Sequence, residues 1–282
     1  MTGKRGMRAL LAAVVLSAFP ATMAQAASPL QTPVTVYPSD AKGNRIEHPG
    51  YWVVTAAPGS TTKLYAVVGD VSSRAATIRI LSVDAANGLF GGISYDLPSA
   101  PRRAVGAWVQ LPAGRVSVHA EKGAVIPFTV VVPRGTKPGQ YVGGVSAYVP
   151  SGIRQKSGRT QVIIQPRVVT AVEVNVPGRQ VSRFSVANVK PAFFGRSFYV
   201  VAHIQNSGNT LLKGTGYLWV WQRGRGKPII VHALSVDTSL PYSTVTCPFQ
   251  WSRHPAKGTY RWAVKMDWTS GATTASGTFA IR

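Results

Sequence analysis

Hydrophobic positions along the chain gather in short runs rich in Val, Ile, Thr and aromatic residues, and Pro, Gly, Asn or Asp separate the runs. β-Branched and aromatic residues favour strands, whereas the separating residues favour turns. No long segment shows a helical period with capping residues, so the pattern predicts an all-β protein built as β-sandwiches. The clearest predicted strands are residues 60–71, 76–83, 124–132, 140–149 and 160–176.

The sharpest alternation lies in residues 260–268. Every second residue from Tyr260 to Trp268 is apolar, and the residues between them include Arg261, Lys265 and Asp267. Because successive side chains of a strand point to opposite faces, this segment predicts a strand with one apolar and one charged face.

A second alternating segment, residues 217–221, has two apolar faces, and a basic turn follows Gln222 at residues 223–227. One interpretation puts Trp219 and Trp221 in the core and makes the turn a solvated hairpin tip. The other makes the aromatic and cationic side chains a surface that binds a sugar ring or a partner's hydrophobic anchor. With the basic pair Arg102 and Arg103, the candidate binding residues are Tyr217, Trp219, Trp221, Arg223, Arg225 and Lys227. Trp52 and Trp108 are expected in the core.

The segment Pro177-Gly178 is the best candidate for a domain boundary, because it follows a long strand-like run and favours extended and then flexible backbone. We therefore expect two tandem immunoglobulin-like β-sandwich domains at residues 45–178 and 179–282. A signal peptide (1–26) and an N-terminal extension (27–44) are expected to precede them.

The charge of the chain is strongly unbalanced: 31 Lys and Arg face 9 Asp and Glu in 282 residues, a formal net charge of +22. Residues 27–178 carry 15 bases and 7 acids, a net charge of +8, and residues 179–282 carry 13 and 2, a net charge of +11. Such a surface attracts polyanions. An acidic habitat that disfavours carboxylates is the other explanation, and the sequence does not separate the two.

The N-terminal segment has the pattern of a secretory signal peptide. A basic start at residues 4–8 and a short apolar run at residues 9–19 precede Ala24-Gln25-Ala26, so cleavage is expected before Ala27. The run is too short to cross a bilayer, and no later membrane span is expected. We therefore expect an exported protein, which argues against nucleic acid as a partner.

Catalytic motifs are not found in the sequence. It contains no G-x-S-x-G, and none of its five histidines are spaced as a metal pair. The single cysteine, Cys247, cannot form an intramolecular disulfide and is expected to be a small, half-buried hydrophobic residue rather than a nucleophile. These features predict a protein that is not an enzyme and that needs no cofactor or metal.

Seven segments of the first half form an ordered set: residues 50–52, 57–60, 83–88, 91–95, 105–109, 126–133 and 138–145. This set resembles the N-terminal, peptidoglycan-binding domain of the WxL-interacting protein family, whose members are exported Gram-positive surface proteins built from two immunoglobulin-like domains. The second half resembles the family's C-terminal domain more loosely, through residues 204–212 and the closing strands. Family members carry a C-terminal membrane helix and a basic tail that this chain lacks, which favours a secreted or wall-retained form.

The preferred functional prediction is an exported, cell-wall-associated binding protein. The resemblance implies contact with peptidoglycan, and the charge favours an anionic wall polymer such as teichoic acid, with a surface protein or glycan as second partner. The alternative is a two-domain export or assembly chaperone that binds a client by β-strand addition along an exposed edge in residues 162–176. A third possibility is an accessory sandwich of a secreted glycosidase.

Overall fold

The computed structural model describes residues 34–70, 75–112, 114–119, 122–157, 160–195, 197–251 and 255–282. The predicted cleavage residues Ala24, Ala26 and Ala27 lie outside them. Within these ranges, the first half contains the short helix α1 (Val105–Trp108) and twelve strands. These strands are β1 Val34–Ser39, β2 Trp52–Thr55, β3 Thr61–Asp70, β4 Ala76–Asn87, β5 Ile93–Tyr95, β6 Val109–Gln110, β7 Arg115–Val118, β8 Gly123–Val131, β9 Gly139–Tyr148, β10 Ile153–Ser157, β11 Thr160–Ile164 and β12 Arg167–Val176.

The second half contains seven longer strands among the described residues. They are β13 Phe184–Phe194, β14 Ser197–Asn206, β15 Leu212–Gln222, β16 Ile230–Ser239, β17 Ser243–Trp251, β18 Gly258–Trp268 and β19 Gly271–Ile281. The prediction of an all-β protein with two tandem sandwiches is confirmed.

The first sandwich packs the sheet β1-β3-β8-β6 against the sheet β2-β12-β9-β4-β5, in which β7 also pairs with β4. The short strand β2 runs parallel to β12, and the other pairs are antiparallel. Trp52 and Trp108 are both buried, as predicted. The Trp52 ring meets the Phe128 ring edge-on with centroids 5.1 Å apart, which fills the centre of this core.

Two segments of the first sandwich differ from the sequence-based expectation. The single predicted strand at 160–176 is two strands, β11 and β12, because Pro166 lies between them and lacks the N–H that a continuous ladder needs. Residues 34–39, expected in the N-terminal extension, form β1, which pairs with β3 along its whole length.

The second sandwich packs the sheet β13-β14-β17 against the sheet β16-β15-β18-β19. The apolar face predicted for residues 260–268 lies in its core, where Tyr260, Val264 and Met266 are at most 1% exposed. The chain passes between the sheets after β14, and the buried Asn206 side chain supports this turn by donating to the carbonyl oxygens of Thr210 and Ser239.

The loop between β4 and β5, residues 88–92, reaches from the first sandwich into the second, and we name it the plug loop. The N–H of Phe90 donates to the Thr246 carbonyl in β17 over 3.0 Å, and its own carbonyl accepts the N–H of Asp237 in β16 over 2.8 Å. The N–H of Gly92 donates to the Thr238 carbonyl over 2.8 Å. The plug loop therefore bridges the edge strands of the two sheets of the second sandwich.

Asn209 makes a further contact between the sandwiches. Its side-chain amide donates to the carbonyls of Pro138 (2.9 Å) and Arg179 (2.8 Å), and its side-chain oxygen accepts the N–H of Val181 over 2.6 Å. The Asn209 carbonyl accepts the N–H of Gln140 over 2.8 Å. Residues 32–282 form one compact unit, and a domain boundary at Gly178 stays a prediction.

Candidate functional site

Strand β15 divides its apolar residues between the core and an outward face. Leu218 and Val220 are fully buried, whereas Tyr217 is 50% exposed and Trp219 and Trp221 are half-buried. The interpretation that Trp219 and Trp221 fill the core is therefore wrong. The reason is the pairing with β18: Leu218 and Val220 lie opposite apolar residues of the buried face of that strand.

The outward face of β15 carries a row of aromatic rings. The Tyr217 and Trp219 ring centroids are 5.7 Å apart, and their planes differ by 31°. On the neighbouring strand β16, Val231 lies opposite Trp219 and is 53% exposed. We name Tyr217, Trp219 and Trp221 the aromatic row.

A pocket of about 530 Å³ lies at the end of the aromatic row, and we name it the basic–aromatic pocket. It combines residues of three strands, β15, β18 and β19, with the turn after β15, which places four cationic or aromatic side chains beside hydroxyl and amide groups. Its lining residues are Trp221, Gln222, Arg223, Gly224, Arg225, Gly226, Thr259, Arg261 and Thr278.

The turn that forms the pocket is held by backbone hydrogen bonds. The N–H of Arg223 donates to the Thr259 carbonyl, and that of Arg225 donates to the Gln222 carbonyl, each over 3.1 Å. Gly224 has a φ of +82°, a conformation that favours glycine. The turn therefore has a defined backbone although its side chains are exposed.

The electrostatics of this region follow from how few acids it contains. Asp237 and Asp267, the two acids of residues 179–282, pair with Lys213 (2.8 Å) and Lys265 (3.3 Å). The hydrogen bond from Lys213 lowers the pKa of Asp237. In the described part of the chain, no ion pair involves the cations of the basic–aromatic pocket.

Of the predicted binding residues, Trp221, Arg223 and Arg225 line the pocket. Trp219 and Tyr217 precede them on the outward face of β15, and Lys227 follows in the exposed turn but is not among the lining residues. Arg261 joins them from the neighbouring strand, with its guanidinium carbon 5.0 Å from the centre of the Trp221 ring. Arg261 is not among the binding residues predicted from the sequence, although its position on the charged face of residues 260–268 was predicted.

Arg102 and Arg103 lie on the first sandwich, apart from this group. The Arg102 guanidinium donates to the Ser82 hydroxyl over 2.9 Å, and the Arg103 N–H donates to the Asp84 carboxylate over 2.5 Å. That carboxylate, 7% exposed, also accepts the N–H groups of Ala104 and Gly106. These contacts hold the segment that enters helix α1.

Strands β10 and β11 form a hairpin that the sequence analysis did not separate from the sandwich. Within the described residues the two strands pair with each other and with no other strand. Val162 and Ile163 are 43% and 59% exposed. The client-binding edge was expected across residues 162–176, but β12 is covered on both sides at residues 172–175 by β2 and β9. The uncovered edge is therefore restricted to the hairpin and the start of β12.

Cys247 is completely buried in β17, more deeply than the half-buried position expected. Burial raises the pKa of its thiol to about 12, so the thiol is protonated at neutral pH and a weak nucleophile. Among the residues that the structure covers, no three His, Cys, Asp or Glu are grouped to hold a metal ion. No helix in these ranges is both long and apolar enough to cross a bilayer.

No protein-family model and no curated protein matches the chain. Among solved structures, the Salmonella enterica SafA pilin in complex with the SafB chaperone matches with a TM-score of 0.41 and 10% identity, covering 89% of this chain and 97% of that chain. The CsuC–CsuE chaperone-tip adhesion subunit pre-assembly complex of Acinetobacter baumannii matches with a TM-score of 0.39 and 14% identity, over 81% and 94%. The Pseudomonas aeruginosa CupB2 chaperone gives 0.33 and 11%, over 80% and 96%.

At these identities and TM-scores the similarities do not determine what this chain binds. The resemblance to the WxL-interacting family stays a prediction as well.

Proposed function

We propose that the protein is an exported assembly factor that binds an extended segment of another polypeptide by β-strand addition at the β10–β11 hairpin. The observation that carries this proposal is that neither strand pairs with a third strand within the described residues, while Val162 and Ile163 of β11 remain exposed. Unpaired N–H and C=O groups along such an edge are a template for another strand.

The β10–β11 hairpin is anchored in the core of the first sandwich. Strands β9 and β12, which lead into and out of it, pair with each other along ten residues and supply fully buried core residues such as Val145 and Val174. A two-stranded hairpin alone is marginally stable in water. Anchoring of β9 and β12 in the sandwich core offsets the low stability of the hairpin, so its edge is formed before a partner strand binds.

The composition of the hairpin indicates the partner segment that it favours. Residues 153–164 contain Arg154, Lys156 and Arg159 and no acid, and their apolar residues include the exposed Val162 and Ile163. Main-chain hydrogen bonds would supply the affinity and alternate side chains the selectivity. The favoured partner is an extended segment with alternating apolar residues and an acidic flank.

The test uses residues 27–282 and a fluorescein-labelled nonapeptide of alternating Val and Thr, flanked by two Asp residues. We expect saturable binding in fluorescence anisotropy and slower amide hydrogen exchange at residues 160–164. The double substitution V162K/I163K is expected to weaken binding about tenfold or more, because lysine charges replace the apolar contacts. The control L97K, at a loop residue that is 69% exposed, is expected to leave binding unchanged.

A control peptide of the same length with Pro at alternate positions cannot donate the ladder hydrogen bonds and is expected not to bind. Exchange protection at a different edge, such as β16 or β19, would contradict the proposed location. Equal binding of the Pro-containing peptide would contradict strand addition itself.

A further inference from the structure

The basic–aromatic pocket has no place in strand addition at the β10–β11 hairpin, because it lies on the outward face of the second sandwich. We propose that it binds a saccharide unit carrying an oxyanion, as a repeating unit of an anionic polysaccharide. This inference does not depend on the proposed function, since the two sites are on different sandwiches and use different residues.

The cations of the basic–aromatic pocket form no ion pair with an acid among the described residues. Arg223, Arg225 and Arg261 line the pocket, and the acids Asp237 and Asp267 of this half of the chain are paired with lysines. Arginine presents a planar fork of N–H donors that matches phosphate and carboxylate oxygens. Three such forks around one pocket select an anion over a neutral ligand.

One of these cations, Arg261, is held in position by an aromatic ring. The Arg261 guanidinium lies over the Trp221 ring, 5.0 Å from its centre, where the electron-rich face attracts a cation. This contact restricts a long side chain that would otherwise lose rotamer freedom on binding. Arg261 is therefore partly ordered for its ligand before the ligand arrives.

Hydroxyl and amide groups lie around the cations of the pocket. Thr259 and Thr278 add hydroxyl groups, and Gln222 adds an amide, so hydroxyl-rich ligands find donors and acceptors. Gly224 and Gly226 have no atom within 4 Å of the position where a side chain would begin, so a ligand can approach the backbone of the turn. The volume of about 530 Å³ lies within the range of small-molecule sites.

The apolar surface continues beyond the pocket along the outward face of β15. Alternate residues of a strand are about 7 Å apart, so the aromatic row extends from Trp221 past Trp219 to Tyr217 along β15. Tyr217 is 50% exposed, and its ring plane differs from that of Trp219 by 31°. Sugar rings that follow the anionic unit along a polymer can rest on this platform, which favours a polysaccharide over a free anion.

The experiment measures binding of residues 27–282 to immobilised phosphomannan, a polysaccharide that carries phosphate, to polygalacturonate and to neutral dextran across a salt series. We expect binding to at least one of the two anionic polymers, weakening as salt rises, and none to dextran. Comparison of the phosphate and carboxylate polymers identifies which oxyanion the site prefers.

Two substitutions distinguish a specific binding site from general attraction of the polymer by net charge. R261K keeps the charge but removes the fork and its contact with Trp221, and we expect it to weaken binding about tenfold. R225A is expected to have a similar effect. The matched control R79A removes an arginine of the first sandwich that is also exposed, and it is expected to change binding less than about twofold.

Three results would overturn the proposal. Unchanged binding by R261K, or equal losses in R225A and R79A, would mean that net charge alone attracts the polymer. If inorganic polyphosphate bound as tightly as the polysaccharides and R261K did not weaken its binding, the site would not require a saccharide. Competition by vesicles of anionic lipid at a lower concentration of charge than either polymer would assign the site to a membrane surface.

Discussion

Phe90 of the first sandwich packs edge-on against Phe249 of the second, with ring centroids 5.3 Å apart and planes at 78°. Phe90 has a φ of +57°, which is unusual for a bulky residue and costs conformational energy. Its ring contact and its two backbone hydrogen bonds to β16 and β17 offset that cost. The Phe90 side chain thus completes the core of a sandwich to which its own strands do not belong.

The substitution F90A is expected to lower the free energy of unfolding by about 1–3 kcal/mol, because it removes a partly buried aromatic ring and leaves space beside Phe249. Urea denaturation of residues 27–282 measures the change. The control is L89A in the same loop, where the side chain is 66% exposed and the expected change is within about 0.5 kcal/mol. Equal effects of the two substitutions would mean that the plug loop does not stabilise the second sandwich.

The substitution G91A tests the close approach of the two sandwiches. Gly91 has a φ of +82°, and a methyl group there would lie 2.7 Å from the Asp237 carbonyl oxygen. Gly195 has a φ of +61° but open space around the same position. Both alanine variants carry backbone strain, and we expect G91A to cost about 1–3 kcal/mol more than G195A, because of the clash. Similar unfolding free energies would argue against the contact.

Cys247 offers a chemical measure of how often the second sandwich opens. Its thiol is buried and protonated, so alkylation by iodoacetamide in native buffer is expected to be at least about 100-fold slower than in denaturant. F90A is expected to accelerate native alkylation, since it removes the ring that packs against Phe249, two residues after Cys247 in β17. Mass spectrometry of the alkylated fraction over time provides the rate, and fast labelling of the unsubstituted protein would contradict the burial.

Asp84 is expected to be structural, because its carboxylate accepts three backbone N–H groups at the entry to helix α1. D84N places amide donors against those N–H groups, and we expect a loss of about 1–3 kcal/mol in the free energy of unfolding. The control D267N removes an exposed ion pair with Lys265, and its expected cost is at most about 1 kcal/mol. Unfolding curves in urea compare the two, and a smaller effect of D84N would contradict its structural role.

The all-β fold was predictable, because the strand alternation at residues 260–268 matches the face that is buried. The outward position of Trp219 and Trp221 was not, since both faces of β15 are apolar and local periodicity does not choose between them. The choice depends on the neighbouring strand: Trp221 lies opposite Arg261, and Val220 lies opposite Trp262. Only the register between these strands, which the sequence does not reveal, decides which residues share a face.

The contacts between the sandwiches were also beyond sequence reasoning. Residues 88–92 have the composition of an ordinary turn, and their hydrogen-bond partners, Asp237 and Thr238 in β16 and Thr246 in β17, lie far along the chain. The β10–β11 hairpin left a weak signal, because Pro166 interrupts the strand-like run and marks where β11 ends. The basic turn at residues 223–227 was found because its charges are adjacent in the chain, whereas Arg261 reaches it only through strand pairing.

The plug loop also determines how the protein would respond to mechanical load. If one sandwich were pulled while the other was held, the link at residues 177–183 could not extend until the hydrogen bonds of Phe90, Gly92 and Asn209 had broken. The plug loop would therefore delay the separation of the two sandwiches under load, because its hydrogen bonds to β16 and β17 must break first.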